Sequence, residues 1–252
     1  MKTHLFVTFS IVFFKSITNC DSYNKTIDLT WPFNSKTISW GGAQRFEFTK
    51  SSVVESPWLA MNEYASAEHA GTHMDAPYHF VEDGWKVGQI PLSYLTAPGF
   101  KIDLSHETME HGSGARLEVR HLLEWQRRHG PIPYRSIMLV YFNWGRQYYN
   151  NTLAYLGGES PAEYKFPGIS AEAAVWIRDS RKVIGVGIDT ASIDPNNSTV
   201  AHRILLPNKM FNLENVKIPG RELPARGFRL SVTPMLIEEG TGAPTRIIAY
   251  VY

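Results

Sequence analysis

Five short runs rich in β-branched and aromatic residues recur along the chain: Phe100 to Leu104, Ser136 to Phe142, Val183 to Ile188, Phe228 to Ile237 and Arg246 to Tyr252. Each has the length and composition of a strand. Two helical patterns stand among them. One runs from about Leu117 to His129, stops at Gly130 and Pro131, and places Leu117, His121, Leu122 and Trp125 on one face. The other follows Ser170, a favoured N-cap, and continues from Ala171 to Asp179. Strands separated by helices predict an α/β arrangement. Between Gly145 and Phe166 lies a polar, Tyr- and Gly-rich stretch with no clear period, which reads as a lid or interface element. Nothing similar recurs on either side of it, so residues 21–252 read as one domain.

The first twenty residues read differently. Lys2 precedes the apolar run Leu5 to Phe14, which is shorter than the roughly 20 residues needed to span a bilayer, and Ser16 to Cys20 offers small and polar residues for a peptidase. Residues 1–20 are therefore expected to be a signal peptide, and the protein to be secreted or held in the secretory-pathway lumen. Sequons at Asn24, Asn150, Asn196 and Asn197 fit a glycoprotein. Cys20 is the only cysteine, so no internal disulfide framework can staple the fold and stability must come from the core. The net charge of +1 falls to −1 once Lys2 and Lys15 are removed, too little to hold a phosphate backbone. Nucleic acid is not an expected partner. No later stretch is apolar for the length of a membrane span.

Chemistry concentrates in His69 to Phe80, HAGTHMDAPYHF, with three of the nine histidines and an aspartate. Imidazole nitrogen and carboxylate oxygen suit zinc and manganese-like divalent ions. Gly71 and Pro77 argue against a regular helix. In an extended chain His69, Gly71, His73, Asp75, Pro77 and His79 share one parity, so all would face one side. A metal held by His69, His73 and Asp75 leaves coordination positions open, as a catalytic site requires. Asp189 and Asp194 flank Ser192 in DTASID, which reads as a strand end and turn, and no G-x-S-x-G elbow supports serine-hydrolase chemistry.

The segment resembles the signature of the cyclase family, which includes metal-dependent kynurenine formamidases and isatin hydrolases. The resemblance extends through Ser39 to Phe48 (SWGGAQRFEF), Phe166 to Ser170 (FPGIS), Gly187 to Pro195 (GIDTASIDP), Ala201 to Leu206 (AHRILL) and Leu213 to Val216 (LENV). It implies the swivelling β/β/α fold, a compact β-barrel-like core with surrounding helices, in a homodimer or higher homo-oligomer. It further implies one or two zinc or manganese ions per subunit, with His69, His73 and Asp75 on a first ion, and His202 and Glu214, with Asp75 as the bridge, on a second. His79 would transfer the proton and Trp40 would pack on the substrate ring, although Trp40-Gly41-Gly42 stands where the family often has Trp-Pro-Gly. The implied activity is hydrolysis of a small aromatic amide by metal-hydroxide attack, with N-formylkynurenine as substrate. Isatin or another cyclic amide or lactone is the alternative substrate, and Phe80 and Trp85 are candidates for the apolar wall. A secreted binding protein without catalysis is the alternative of another class.

Overall fold

The computed structural model describes residues 23–252, so the expected signal peptide, with Cys20, lies outside the described residues. In chain order the strands are β1 (Lys25–Asp28), β2 (Glu47–Glu55), β3 (Trp58–Ala65), β4 (His73–Asp75), β5 (Thr96–Asp103), β6 (Arg116–Leu117), β7 (Ser136–Tyr141), β8 (Gly168–Ile169), β9 (Val183–Ile188), β10 (Phe211–Glu214), β11 (Phe228–Pro234) and β12 (Gly242–Val251). The helices are α1 (Leu92–Leu95), α2 (Ser105–His111), α3 (Val119–His129), α4 (Trp144–Tyr148), α5 (Thr152–Leu156), α6 (Ala171–Ser180) and α7 (Val200–Leu205).

The main sheet runs β12-β11-β5-β7-β9-β10-β4, and β4 pairs back onto β12, so seven strands close into a barrel surrounded by helices. This is the expected α/β arrangement. β5, β7, β9 and β10 are parallel neighbours, and β9 is buried along its whole length, as a parallel strand covered on both faces must be. Alternation then divides the core. Ile137, Leu139, Phe211, Leu213, Leu230 and Ile247 fill the barrel. Phe100, Met138, Val140, Val186 and Ile188 face outward and pack beneath α3 and α6 through Leu122, Trp125, Ala173 and Ile177. Ser170 caps α6 by accepting the amide of Ala173 at 3.1 Å.

Several strand boundaries differ from the periodic reading. β5 and β12 begin four residues earlier because each carries a proline, Pro98 or Pro244, that an apolar pattern does not extend through. The stretch from Gly145 to Phe166 is not an open loop: it contains α4 and α5 and buries Tyr155 and Leu156. β2 and β3 form a separate two-stranded hairpin, exposed on both faces, that no core pattern announces. Among the described residues no helix is long and apolar enough to cross a membrane.

Candidate metal centre

β4 is the strand that closes the barrel, and it carries His73 and Asp75. It lies between β10, where Glu214 is paired with His73, and β12, where Gly242 is paired with Asp75. The extended face expected for residues 69–79 is confined to 73–75. Gly71 turns the chain before it at φ +58°, and Pro77–His79 forms a 3-10 turn after it. The turn at Gly71 requires glycine, since a Cβ there would stand 2.8 Å from Phe33 and 2.9 Å from Thr37 in a conformation that L side chains resist. The same turn aims the Gly71 carbonyl at His73. Despite the broken strand, His69, His79 and Asp75 form one close group, and His73, Asp75 and Glu214 another.

The inner ring is made by two imidazoles and two carboxylates. His73 Nε2 lies 3.2 Å from Asp75 Oδ1 and 3.5 Å from Glu214 Oε2; His202 Nε2 lies 3.2 Å from Asp75 Oδ2 and 3.3 Å from Glu214 Oε1. All four side chains are buried. Each imidazole is held from outside. His73 donates Nδ1–H to the Gly71 carbonyl at 2.9 Å, and His202 donates Nδ1–H to Asp194 Oδ2 at 2.6 Å. A neutral imidazole has one N–H, so in both rings Nε2 is left to face the carboxylates. His73 Nε2 is buried without a hydrogen-bond partner although carboxylate oxygens stand beside it. A buried polar atom in that condition is costly unless a cation completes it. Outer acceptors that fix the tautomer are also the usual support of metal-ligating histidine, and the residues fit a divalent ion.

Electrostatics point the same way. Burial opposes the charged form of Asp75, yet contact with His202, His69 and His73 holds its carboxyl well below the usual carboxylate value. Burial likewise opposes charge on His202, and Asp194, Asp75 and Glu214 overcome it to hold the imidazole well above 6.5. The ring therefore strongly favours positive charge between Asp75 and Glu214. Glu214 is fixed by the Ile193 amide at 2.9 Å.

Asp194 and Asp189, read in the sequence as parts of a turn, have defined tasks. Asp194 takes the amides of Ala201 at 2.7 Å and His202 at 3.0 Å, so it anchors the start of α7 as well as the His202 ring. Asp189 takes the amides of Phe142 and Trp144 at the start of α4. Their signal in the sequence was an acid just before a helix, but α4 lies 45 residues earlier than Asp189 and only the fold joins them.

His79 sits at the rim, exposed along one edge, with its ring stacked on His69 at 4.1 Å. Protein packed about the rest of the ring pushes its pKa down to about 4; Asp75 opposes this, and the imidazoles of His69, His202 and His73 reinforce it. A cavity of about 400 Å³ opens beside the cluster, with Ile38, Trp40, Phe80, Leu156 and Ala191 forming much of its wall. Trp40 is braced edge-on by Tyr164 at 4.8 Å, and Phe80 lies 4.8 Å from the His202 ring. Trp85 does not reach this cavity. It packs edge-on to Tyr94 against the barrel core.

The Cyclase family model matches residues 27–195. The chain belongs to the cyclase family. Among its relatives, the isatin hydrolase of Roseibium aggregatum is 28% identical over 220 residues, covering 82% of this chain and 81% of the relative. The kynurenine formamidase of Bacillus cereus is 26% identical over 225 residues, covering 88% and 95%. Isatin hydrolase A from Ralstonia solanacearum superposes on this cyclase-family chain with a TM-score of 0.83 at 28% identity, over 90% of this chain and 92% of that one.

Proposed function

We propose that this chain is a secreted, metal-dependent hydrolase of C–N amide bonds, acting on N-formylkynurenine as an arylformamidase. The observation that carries the reading is the pair of imidazoles, each with its outer N–H occupied, whose Nε2 atoms face two buried carboxylates beside an apolar cavity. His69, His73, Asp75, His202 and Glu214 would hold one or two divalent ions, zinc or manganese. An ion bound there lowers the pKa of a bound water from about 15.7 to about 7 and polarises a carbonyl. Trp40 and Phe80 offer flat faces to an aromatic substrate and exclude water from around it. His79, unprotonated at neutral pH, accepts the proton released by the attacking water and delivers it to the departing amine. A second substrate, isatin or another cyclic amide or lactone, is favoured by the likeness to isatin hydrolases in both sequence and fold.

The exposed asparagines at 24, 150 and 197 support a glycosylated, secreted chain. The hairpin supports a homo-oligomer. A lone two-stranded hairpin is marginal in water, and this one exposes Phe48, Val53, Trp58, Leu59, Met61 and Tyr64.

The test is the metal content of the purified protein, followed by hydrolysis of N-formylkynurenine and of isatin with and without a chelator. Chelator-sensitive release of formate supports the arylformamidase. Ring opening of isatin alone transfers the site to the second substrate, and a folded, metal-free, inactive protein supports the non-catalytic binding reading instead.

A further inference from the structure

We infer that Glu68 and Thr241 form a positioning relay that fixes the tautomer of His69 and so turns its Nδ1 toward the cation site, an inference that rests on the metal-dependent reading above. It follows from counting protons. Glu68 Oε2 is approached by the Thr241 hydroxyl at 2.6 Å, the Thr241 amide at 3.0 Å and the Gly242 amide at 3.3 Å. Amides only donate, so this oxygen is an acceptor, and the single hydroxyl proton of Thr241 points to it. The remaining neighbour of Thr241 Oγ1 is His69 Nε2 at 2.8 Å, which must then carry a proton and donate it. A neutral imidazole has no second N–H, so Nδ1 presents a lone pair. That atom lies 2.7 Å from Asp75 Oδ1, a separation that two lone pairs cannot sustain without positive charge against both.

His69 is thus turned the opposite way from His73 and His202, which face the carboxylates with Nε2. The reversed ring needs its own anchor, and the fold supplies one from 172 residues away. Thr241 is tied to the end of β4 by the Ala76 amide, which donates to its carbonyl at 2.9 Å. Gly242 passes close beneath the ring, and the stacked His79 sets the ring plane from the other side.

The test pairs Thr241→Val, which deletes the hydroxyl at nearly constant volume, with Thr241→Ser, which keeps it. Zinc affinity is read by competition with a chromophoric chelator, and the protonated ring nitrogen of His69 by long-range proton–nitrogen NMR of the zinc-loaded protein. The relay requires Nε2–H on His69 in the wild type, a loss of roughly 10- to 100-fold in zinc affinity for Thr241→Val, and recovery in Thr241→Ser. Wild-type protonation at Nδ1, or unchanged affinity in a folded Thr241→Val protein, overturns it. Glu68→Ala gives the same readout if the valine variant does not fold. If the wild type binds no cation, the metal-dependent reading fails by itself. The metal-free spectrum then decides the relay: Nε2 protonation that Thr241→Val weakens upholds it, and protonation at Nδ1 alone overturns it.

Discussion

One oxygen of Asp194 receives Nδ1–H of His202 at 2.6 Å while the other receives the backbone amide of Ala201 at 2.7 Å, so a single carboxylate both starts a helix and orients an imidazole. Asp194→Ala removes both functions. Losing the cap costs about 1 kcal/mol, and in a chain of this size each kcal/mol lowers Tm by roughly 2–4 °C. Freeing His202 weakens cation binding by roughly 10- to 100-fold. Thermal unfolding and chelator competition measure the two effects separately. Unchanged cation affinity would remove His202 from the centre.

His79→Ala should lower turnover by roughly 10²-fold or more while the cation stays bound. The ring is stacked on His69 and grouped with Asp75, so cation content must be measured beside kcat. Loss of the ion together with activity would make His79 a ligand and leave the proton to another group.

Gly242→Ala tests how tightly β12 passes the site. A Cβ at this position would lie 2.5 Å from His69 Cε1 and 2.7 Å from the Met74 carbonyl. The strand backbone cannot retreat without breaking its pairing with Asp75, so the His69 ring moves. Overpacking of this kind costs about 1–3 kcal/mol, with weaker cation binding expected alongside the lower Tm. A crystal structure of the variant with His69 unmoved would contradict this account.

Burial raises the Asp189 carboxyl to about 7, against the amides of Phe142, Trp144 and Gly145, which favour its ionised form. The folded chain then holds a proton that the unfolded chain, with an aspartate near 3.9, has released. Stability from this group is full below about pH 4, declines as pH rises toward 7, and is level above that. The decline amounts to about 4 kcal/mol at most. Asp189→Asn removes the titration, so wild type minus variant should fall in stability between pH 5 and pH 7 in chemical denaturation. Parallel pH curves would show that the amides outweigh burial and keep Asp189 ionised.

Much of this molecule is legible from periodicity because its core strands obey simple rules. Val183 to Ile188 is apolar at nearly every position because both faces are covered, and its observed bounds match the pattern. The hairpin of β2 and β3 escapes such reading because its alternation faces solvent on both sides. The cluster was legible in its chemistry, since three histidines and an aspartate crowd one short segment. Its shape was not: the turn at Gly71 and the 3-10 turn at Pro77 break the shared parity, and tertiary contacts bring His69 and His79 back to Asp75. Glu68 and Thr241 were illegible for a different reason. Their meaning lies in a hydrogen bond that spans most of the chain, and no local pattern records it.

β4 joins β10 on one side and β12 on the other, and this three-residue strand supplies His73 and Asp75. The last staple of the cylinder and the heart of the cluster are therefore the same piece of chain. A folding intermediate with that seam still unzipped has no place for an ion, however well formed its helices are. Catalytic competence thus arrives only with complete closure, and a captured ion acts as a rivet that keeps the wall shut.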